Sequence, residues 1–228
     1  MSSAGAIPLG RDLDPYALGR EVGASGHGDA RYPTGHGGGG PASRRVVVGY
    51  GFWIFLLSDI VMFSAFFAAH AVLRNATADG PAGAQLFSIG RVAVETACLL
   101  ASSFTCGLSA VATRVRSLVW TEAFLLVTGV LGAIFLALEA YEFTAMVSAG
   151  AGPERSAYLS SFFALVGCHG LHVTAGLLWL GTMMAQVFVK GFRPNILRRL
   201  LCFNLFWHTL DIIWVAIFTV VYLLGAMP

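Results

Sequence analysis

Long runs of apolar residues alternate with short polar segments along most of this chain. Five runs are long enough to cross the hydrocarbon core of a membrane, which is about 30 Å thick and takes about 20 helical residues. They cover approximately residues 50–73, 92–113, 119–147, 158–189 and 200–226. Turn-forming residues separate them, such as Gly150 and Pro153 after the third run and Gly191 and Pro194 after the fourth. The pattern predicts an all-α fold, an integral membrane bundle of five transmembrane helices.

The composition agrees with this fold class. Of the 228 residues, 57% are hydrophobic and 11% are charged, and the mean hydropathy is +0.74. A soluble domain carries about 25% charged residues. The net charge of +2 is too small to indicate a nucleic-acid partner.

The first 45 residues differ from the rest, because they lack apolar periodicity and contain an uninterrupted glycine run at 37–40. Such a segment cannot bury enough surface to fold alone. We therefore predict a disordered Gly-rich cytoplasmic tail over 1–45 and a five-helix transmembrane domain over 46–228.

The basic residues predict the orientation, since cytoplasmic segments are enriched in Lys and Arg. Three of the 14 basic residues, Arg74, Arg91 and Arg155, fall on one side of the predicted membrane. The other eleven fall on the opposite side, and they are Arg11, Arg20, Arg31, Arg44, Arg45, Arg114, Arg116, Lys190, Arg193, Arg198 and Arg199. This asymmetry predicts an N-terminus inside and a C-terminus outside.

Three of the apolar runs each carry two ionisable residues three positions apart. The pairs are Glu139 with Glu142, His169 with His172, and His208 with Asp211. Residues at i and i+3 share a helix face. Ionisable groups inside a membrane span are costly and almost always face the protein interior. The spacing therefore predicts that three helices direct polar faces at one another.

The depth of these residues along their spans predicts which of them meet. At about 1.5 Å per residue, both His172 and Asp211 fall near the middle of their spans. Because a short loop joins the two spans, we expect them to be antiparallel neighbours in which His172 and Asp211 meet. Three interpretations of the cluster remain open from the residues alone: a haem or metal site, a proton relay, or hydrogen bonding that holds the helices in register.

Two further carboxyl groups lie within the spans. Asp59 is near the centre of the first run, where a lone carboxyl suggests a lipid-facing or proton-related role. Glu95 lies one turn into the second run, so we expect an interfacial position, and with Asp59 it is a candidate for a lipid-facing or proton-related role. The four cysteines form no CxxC pair and no metal-ligand spacing, so we expect free thiols and no metal site.

Three motifs resemble one known family. The segment His169-Gly-Leu-His172 is similar to the His-Gly-Leu-His signature of subunit III of haem–copper oxidases. Trp207-His208-Thr-Leu-Asp211-Ile-Ile-Trp214 and Glu139-Ala-Tyr141-Glu142 resemble two further elements of that family, in the same order. The resemblance covers about residues 48–227. The segments Asp79-Gly-Pro-Ala-Gly and Val94-Glu95-Thr96, with only five spans, look like the branch found in cytochrome o-type ubiquinol oxidases.

The resemblance implies a subunit with no catalytic residue and with no haem, copper or quinone of its own. Those groups would lie in partner subunits of a proton-pumping complex that oxidises ubiquinol and reduces oxygen to water. The implied partners are a large haem–copper catalytic subunit I, subunit II and a small subunit IV. Bound phospholipid and a bacterial inner membrane location are also implied. Trp207 and Trp214 would pack against lipid or helices, and Asp59 falls where many members carry a lipid-facing, carbodiimide-reactive glutamate.

Two alternatives to this function stay open. Within the family, the chain could be subunit III of a cytochrome c oxidase. From another class, it could be a small secondary transporter or channel that uses the polar cluster as its path.

Overall fold

A computed structural model describes residues 44–78 and 89–226, and every regular segment within these ranges is helical. The five main helices are α1 (Arg44–Leu73), α2 (Ile89–Arg114), α3 (Leu118–Ser148), α4 (Ala157–Lys190) and α5 (Pro194–Ile217). All five are long and apolar enough to cross a membrane, which confirms the prediction of five helices of this kind. Residues 1–43, most of the predicted tail, lie outside the described residues, as do the Asp79 segment and the last two residues.

The helix ends follow local sequence signals. Ser156 caps α4 by accepting a hydrogen bond from the Leu159 amide at 3.2 Å. Gly191 ends α4 with φ at 64°, a conformation that glycine adopts without strain. α5 begins at Pro194 rather than near Leu200, because proline is well suited to the first position of a helix. The Gly191 and Pro194 turn is therefore shorter than the sequence predicted.

α5 lies at the centre of the bundle. It packs against α1, α2 and α4, while α2 and α3 pair closely with each other and α3 also contacts α4. α5 is the most buried span and α1 the least buried. We call the end of the bundle with the α2–α3 and α4–α5 turns the Arg114 end, and the opposite end the Arg74 end.

The last part of α5 departs from α-helical geometry. Residues Phe218–Leu223 form a π-helical segment, followed by a short turn at Leu224–Ala226. Tyr222 is fully buried in this segment, with its ring 5.8 Å from Phe162 and 6.1 Å from Trp214. The wider π turn places this aromatic side chain among α4 and α5 residues. Nothing in the sequence pattern predicts it.

Two hydrogen bonds to backbone carbonyl groups join helices at the Arg74 end. The Arg74 guanidinium donates to the Leu224 carbonyl at 2.6 Å, and the Tyr158 amide donates to the Ala76 carbonyl at 3.3 Å. The end of α1 is therefore joined to the end of α5 and to the start of α4.

The Trp207 indole fills a space created by two glycines. A methyl group added at Gly132 of α3 would come within 2.9 Å of this ring, and one added at Gly176 of α4 would come equally close. Small residues at such positions let membrane helices approach closely. The ring itself is only 1% exposed. Three helices therefore meet around one side chain.

We predict that Gly132→Ala and Gly176→Ala destabilise the bundle, since each methyl group would overlap the Trp207 ring. Overpacking of this kind costs about 1–3 kcal/mol. Gly181→Ala is the matched control, because its methyl group would meet no atom within 4 Å. Thermal unfolding of the membrane-extracted protein should show lower midpoints for the first two variants only. Equal midpoints for all three would contradict this packing.

Candidate functional site

Two tryptophans of α5 donate hydrogen bonds to hydroxyl groups of α2. Trp214 Nε1 donates to Thr96 Oγ1 at 3.0 Å, and Trp207 Nε1 donates to Ser102 Oγ at 2.9 Å. Both indoles are buried, so their polar atoms need partners inside the protein. Both indoles therefore pack between helices. Lipid contact was the other role expected for them.

Two more hydrogen bonds continue this line of contacts. Ser103 Oγ bonds to His208 Nδ1 at 2.7 Å, and Cys106 Sγ donates to Asn204 Oδ1 at 3.1 Å. From the Thr96 and Trp214 contact at one end to the Cys106 and Asn204 contact at the other, the numbers rise along α2 and fall along α5, so the contacts follow one antiparallel helix pair. We call these eight residues the polar seam: Thr96, Ser102, Ser103, Cys106, Asn204, Trp207, His208 and Trp214.

Three glutamates form a buried group near the Arg74 end. Glu95 of α2 is 0% exposed, and Glu139 and Glu142 of α3 are 3% and 2% exposed. They lie close enough to interact electrostatically with one another and with Tyr222. Five of their six carboxyl oxygens have no hydrogen-bond partner among the described residues. Because an unpaired buried oxygen is costly, this group is the least satisfied part of the bundle.

The burial of Glu95 corrects a sequence prediction. Its early position in the span suggested an interfacial or lipid-facing carboxyl, but the side chain faces α3 instead. Exposed Arg91 lies beside the group and interacts electrostatically with Glu95 and Glu142. The Arg91 guanidinium carbon also lies 5.7 Å from the centre of the Tyr141 ring. A cation at the surface therefore provides a partial counter-charge for the buried acids.

His169 is enclosed by aromatic rings from three other helices. It stacks on Trp214 of α5 with ring centres 5.3 Å apart. Phe135 of α3 and Phe63 of α1 approach it edge-on at 6.0 Å and 6.3 Å. The imidazole is 1% exposed, and both of its nitrogens lack a hydrogen-bond partner among the described residues. It packs as an aromatic core side chain.

His172, one turn further along α4, also lies against Phe63 of α1. Its Nδ1 lies 2.8 Å from the Cys168 carbonyl, and its ring lies 5.3 Å from Phe63 of α1. Half-buried Asp59 of α1 interacts electrostatically with the Cys168 thiol on this side of α4. The Ser58 hydroxyl, next to Asp59 in the chain, donates to the Phe55 carbonyl at 2.7 Å and so bonds within α1.

His208 and Asp211 face α2, where Asp211 also interacts with Ser103. The expected contact between His172 and Asp211 is therefore wrong, because one residue lies against α1 and the other against α2. The six paired residues divide among three neighbourhoods: the glutamates by α2, His169 and His172 toward α1, and His208 with Asp211 by α2 at mid-length.

This division bears on the haem or metal interpretation. His172 and His208, the pair that two facing helices could offer to a haem, lie against different helices. Within the described residues, no group of three His, Cys, Asp or Glu side chains is placed to hold a metal ion. All four cysteines are free thiols.

The sequence did not single out the partners on α2. Thr96, Ser102, Ser103 and Cys106 are small, weakly polar residues that occur often in membrane helices without a specific role. Their spacing of one to two turns on one face of α2 is the only signal that could have shown them. His70 was missed as well. Its Nδ1 lies 3.0 Å from Ser161 Oγ and joins α1 to α4.

This arrangement defines a class of protein: a multi-pass membrane bundle whose buried polar and ionisable side chains lie between its own helices. Comparison with protein families narrows the class. The chain matches the cytochrome c oxidase subunit III family over residues 36–226, and it belongs to that family.

Individual relatives are similar in sequence to this chain over most of their own length. Cytochrome bo(3) ubiquinol oxidase subunit 3 of Pseudomonas aeruginosa is 49% identical over 178 residues, which cover 78% of this chain and 85% of that protein. The same subunit of Pseudomonas putida is 47% identical over 177 residues, covering 78% and 86%. Quinol oxidase subunit 3 of Bacillus subtilis is 42% identical over 175 residues, covering 77% and 86%.

Proposed function

We propose that this chain is the non-catalytic subunit III of a proton-pumping terminal ubiquinol oxidase, which oxidises ubiquinol and reduces oxygen to water. The observation that carries the proposal is its 49% identity to a ubiquinol oxidase subunit 3 over 85% of that protein. The role we assign to this chain is to stabilise the catalytic subunit. Haem, copper and quinone would be held by partner subunits I and II, with a small subunit IV completing the complex.

The geometry supports an accessory role over a transporter or channel. A conduction path needs polar groups connected along its length, and helices broken around a site at mid-depth are typical of transporters. Here the central imidazole of His169 is enclosed by aromatic rings, and neither of its nitrogens has a hydrogen-bond partner among the described residues. The quinol oxidase names of the relatives also favour ubiquinol over cytochrome c as the electron donor.

We propose a bacterial inner membrane location with the N-terminus inside. Arg114, Arg116, Lys190 and Arg193 lie at or next to the turns of the Arg114 end, and α1 begins at that end. Positively charged segments of this kind remain on the cytoplasmic side. The glutamate group would then lie in the outer half of the membrane.

We also propose a phospholipid site at the Arg114 end. A groove there is lined by Val48, Phe52, Trp179, Asn195, Arg198, Arg199 and Cys202. Arg199 is oriented by a 2.8 Å hydrogen bond to Gln186, and Arg198 donates to Asn195. The two guanidinium groups suit a lipid phosphate, while the rings of Phe52 and Trp179 suit an acyl chain.

The function predicts that the chain migrates with a large haem-bearing polypeptide. Blue-native gels of mild-detergent extracts should show one complex that oxidises ubiquinol and contains this chain. Membranes from a strain without the chain serve as the control and should yield a less durable complex with an unchanged haem spectrum. Migration of the chain alone, or oxidation of reduced cytochrome c by its complex, would contradict the proposal.

The lipid site predicts a defined loss of bound phospholipid. Replacing both arginines, as Arg198→Gln with Arg199→Gln, should reduce the phospholipid retained per complex by about one molecule, because the charge-assisted contacts to phosphate are lost. Native mass spectrometry measures the retained lipid. Exposed Arg193, at the same end but outside the groove, provides the control Arg193→Gln. Equal lipid content in both variants would argue against the site.

Asp59 remains a prediction from the sequence. If its half-buried carboxyl is open to the lipid side, a hydrophobic carbodiimide should label it, and Asp59→Asn should abolish labelling while the complex still assembles. We expect the variant oxidase to have a shorter lifetime during turnover or to pump fewer protons per electron. An unlabelled Asp59 together with unaltered turnover and pumping in the variant would leave Asp59 only a packing role.

A further inference from the structure

A surface groove runs between α2 and α5 at the middle of the membrane. Leu100, Ser103, Phe104 and Gly107 line it from α2, and His208 and Asp211 line it from α5. We call it the α2/α5 groove. Ser103 and His208 lie near the midpoints of their spans, Gly90–Arg114 and Pro194–Leu223. The groove is therefore as far from both membrane surfaces as these helices allow.

The groove combines an apolar rim with polar groups that a lipid tail cannot satisfy. Phe104 is 69% exposed and Leu100 is 46% exposed at the rim. Ser103 bonds to Nδ1 of half-buried His208, which leaves the second ring nitrogen as a further polar atom. Asp211 Oδ1 is buried and has no hydrogen-bond partner among the described residues.

The depth of these groups decides whether lipid or a neighbouring helix occupies the groove. Hydrocarbon chains offer no hydrogen bonds, and lipid head groups do not reach the middle of the bilayer. Ionisable side chains at this depth almost always face the interior of a protein bundle or a water-filled cavity, and not lipid. The glycine at the floor of the groove adds space, since a methyl group at Gly107 would meet no atom within 4 Å. A neighbouring helix can therefore approach closely here.

We infer that the α2/α5 groove receives a transmembrane helix of another oxidase subunit, which places a hydrogen-bond-donating side chain against Asp211 and His208. This inference rests on the proposed function, because the helix belongs to a partner in that complex. The partner helix covers Phe104 and Leu100 and donates to the polar atoms that His208 and Asp211 present to the groove. The groove is then a docking surface. The polar seam fixes its shape because it holds α2 against α5.

Site-specific photo-crosslinking in native membranes tests the inference directly. A photoreactive benzoyl-phenylalanine in place of Phe104 should crosslink this chain to a different polypeptide of the complex. Adducts with phospholipid alone, with a second copy of this chain, or with no polypeptide at all would overturn the inference. Co-purification of the labelled chain with haem-bearing subunits is scored in the same sample. If the chain fails to co-purify, the proposed function fails; if it co-purifies but Phe104 reaches only lipid, the docking surface alone fails.

A steric variant provides an independent measurement. Gly107→Leu should fill the groove without disturbing the bundle, so the fraction of complex that keeps the groove's partner under mild detergent should fall several-fold. Gly181→Leu, at an exposed glycine of α4 with equally open surroundings, is the matched control and should retain that partner. Full retention of every subunit in Gly107→Leu would contradict docking at this groove.

Discussion

The Trp207 indole is the contact on which the bundle depends. Its N–H donates to Ser102 of α2, while its ring rests against Gly132 of α3 and Gly176 of α4. One side chain of α5 therefore joins four of the five helices. Lipid provides no hydrophobic force that drives helices together, so close packing and hydrogen bonds must hold them. The rest of the polar seam extends the same contact along α2 and α5.

This dependence explains why the family's motif residues serve the fold in this chain. Trp207, His208 and Trp214 all bond to side chains of α2, and His169 packs between rings of α1, α3 and α5. The glutamate group differs, because five of its six oxygens are unpaired among the described residues and no aromatic packing is recorded for them. A buried polar group without a hydrogen-bond partner lowers stability, so its presence needs an explanation other than stability.

The sequence predicted the five helices because apolar length alone decides which segments cross a membrane. It did not predict which helix each polar residue contacts. Residues at i and i+3 differ by about 60° around the axis, so a shared face does not fix every contact of the pair. Both imidazoles of α4 meet Phe63 of α1, but only for His169 do further rings of α3 and α5 complete the surroundings among the described contacts. The rotation of each helix depends on small partners such as Ser102 and Gly132, whose types carry little sequence signal. The π-helical turn that buries Tyr222 likewise has no recognisable pattern.

The central claim is that polar side chains within these spans hold helices together. A double-mutant cycle on Ser102 and Trp207 tests it most directly, with Ser102→Ala, Trp207→Phe and the combined variant compared in the intact oxidase. We expect both single variants to weaken retention of this chain, and the combined variant to lose less than the two effects added, with a coupling of about 0.6 kcal/mol, the typical value for such bonds in membranes. The haem spectrum should not change. Strictly additive losses, or a lost haem signal while the chain stays bound, would contradict the account.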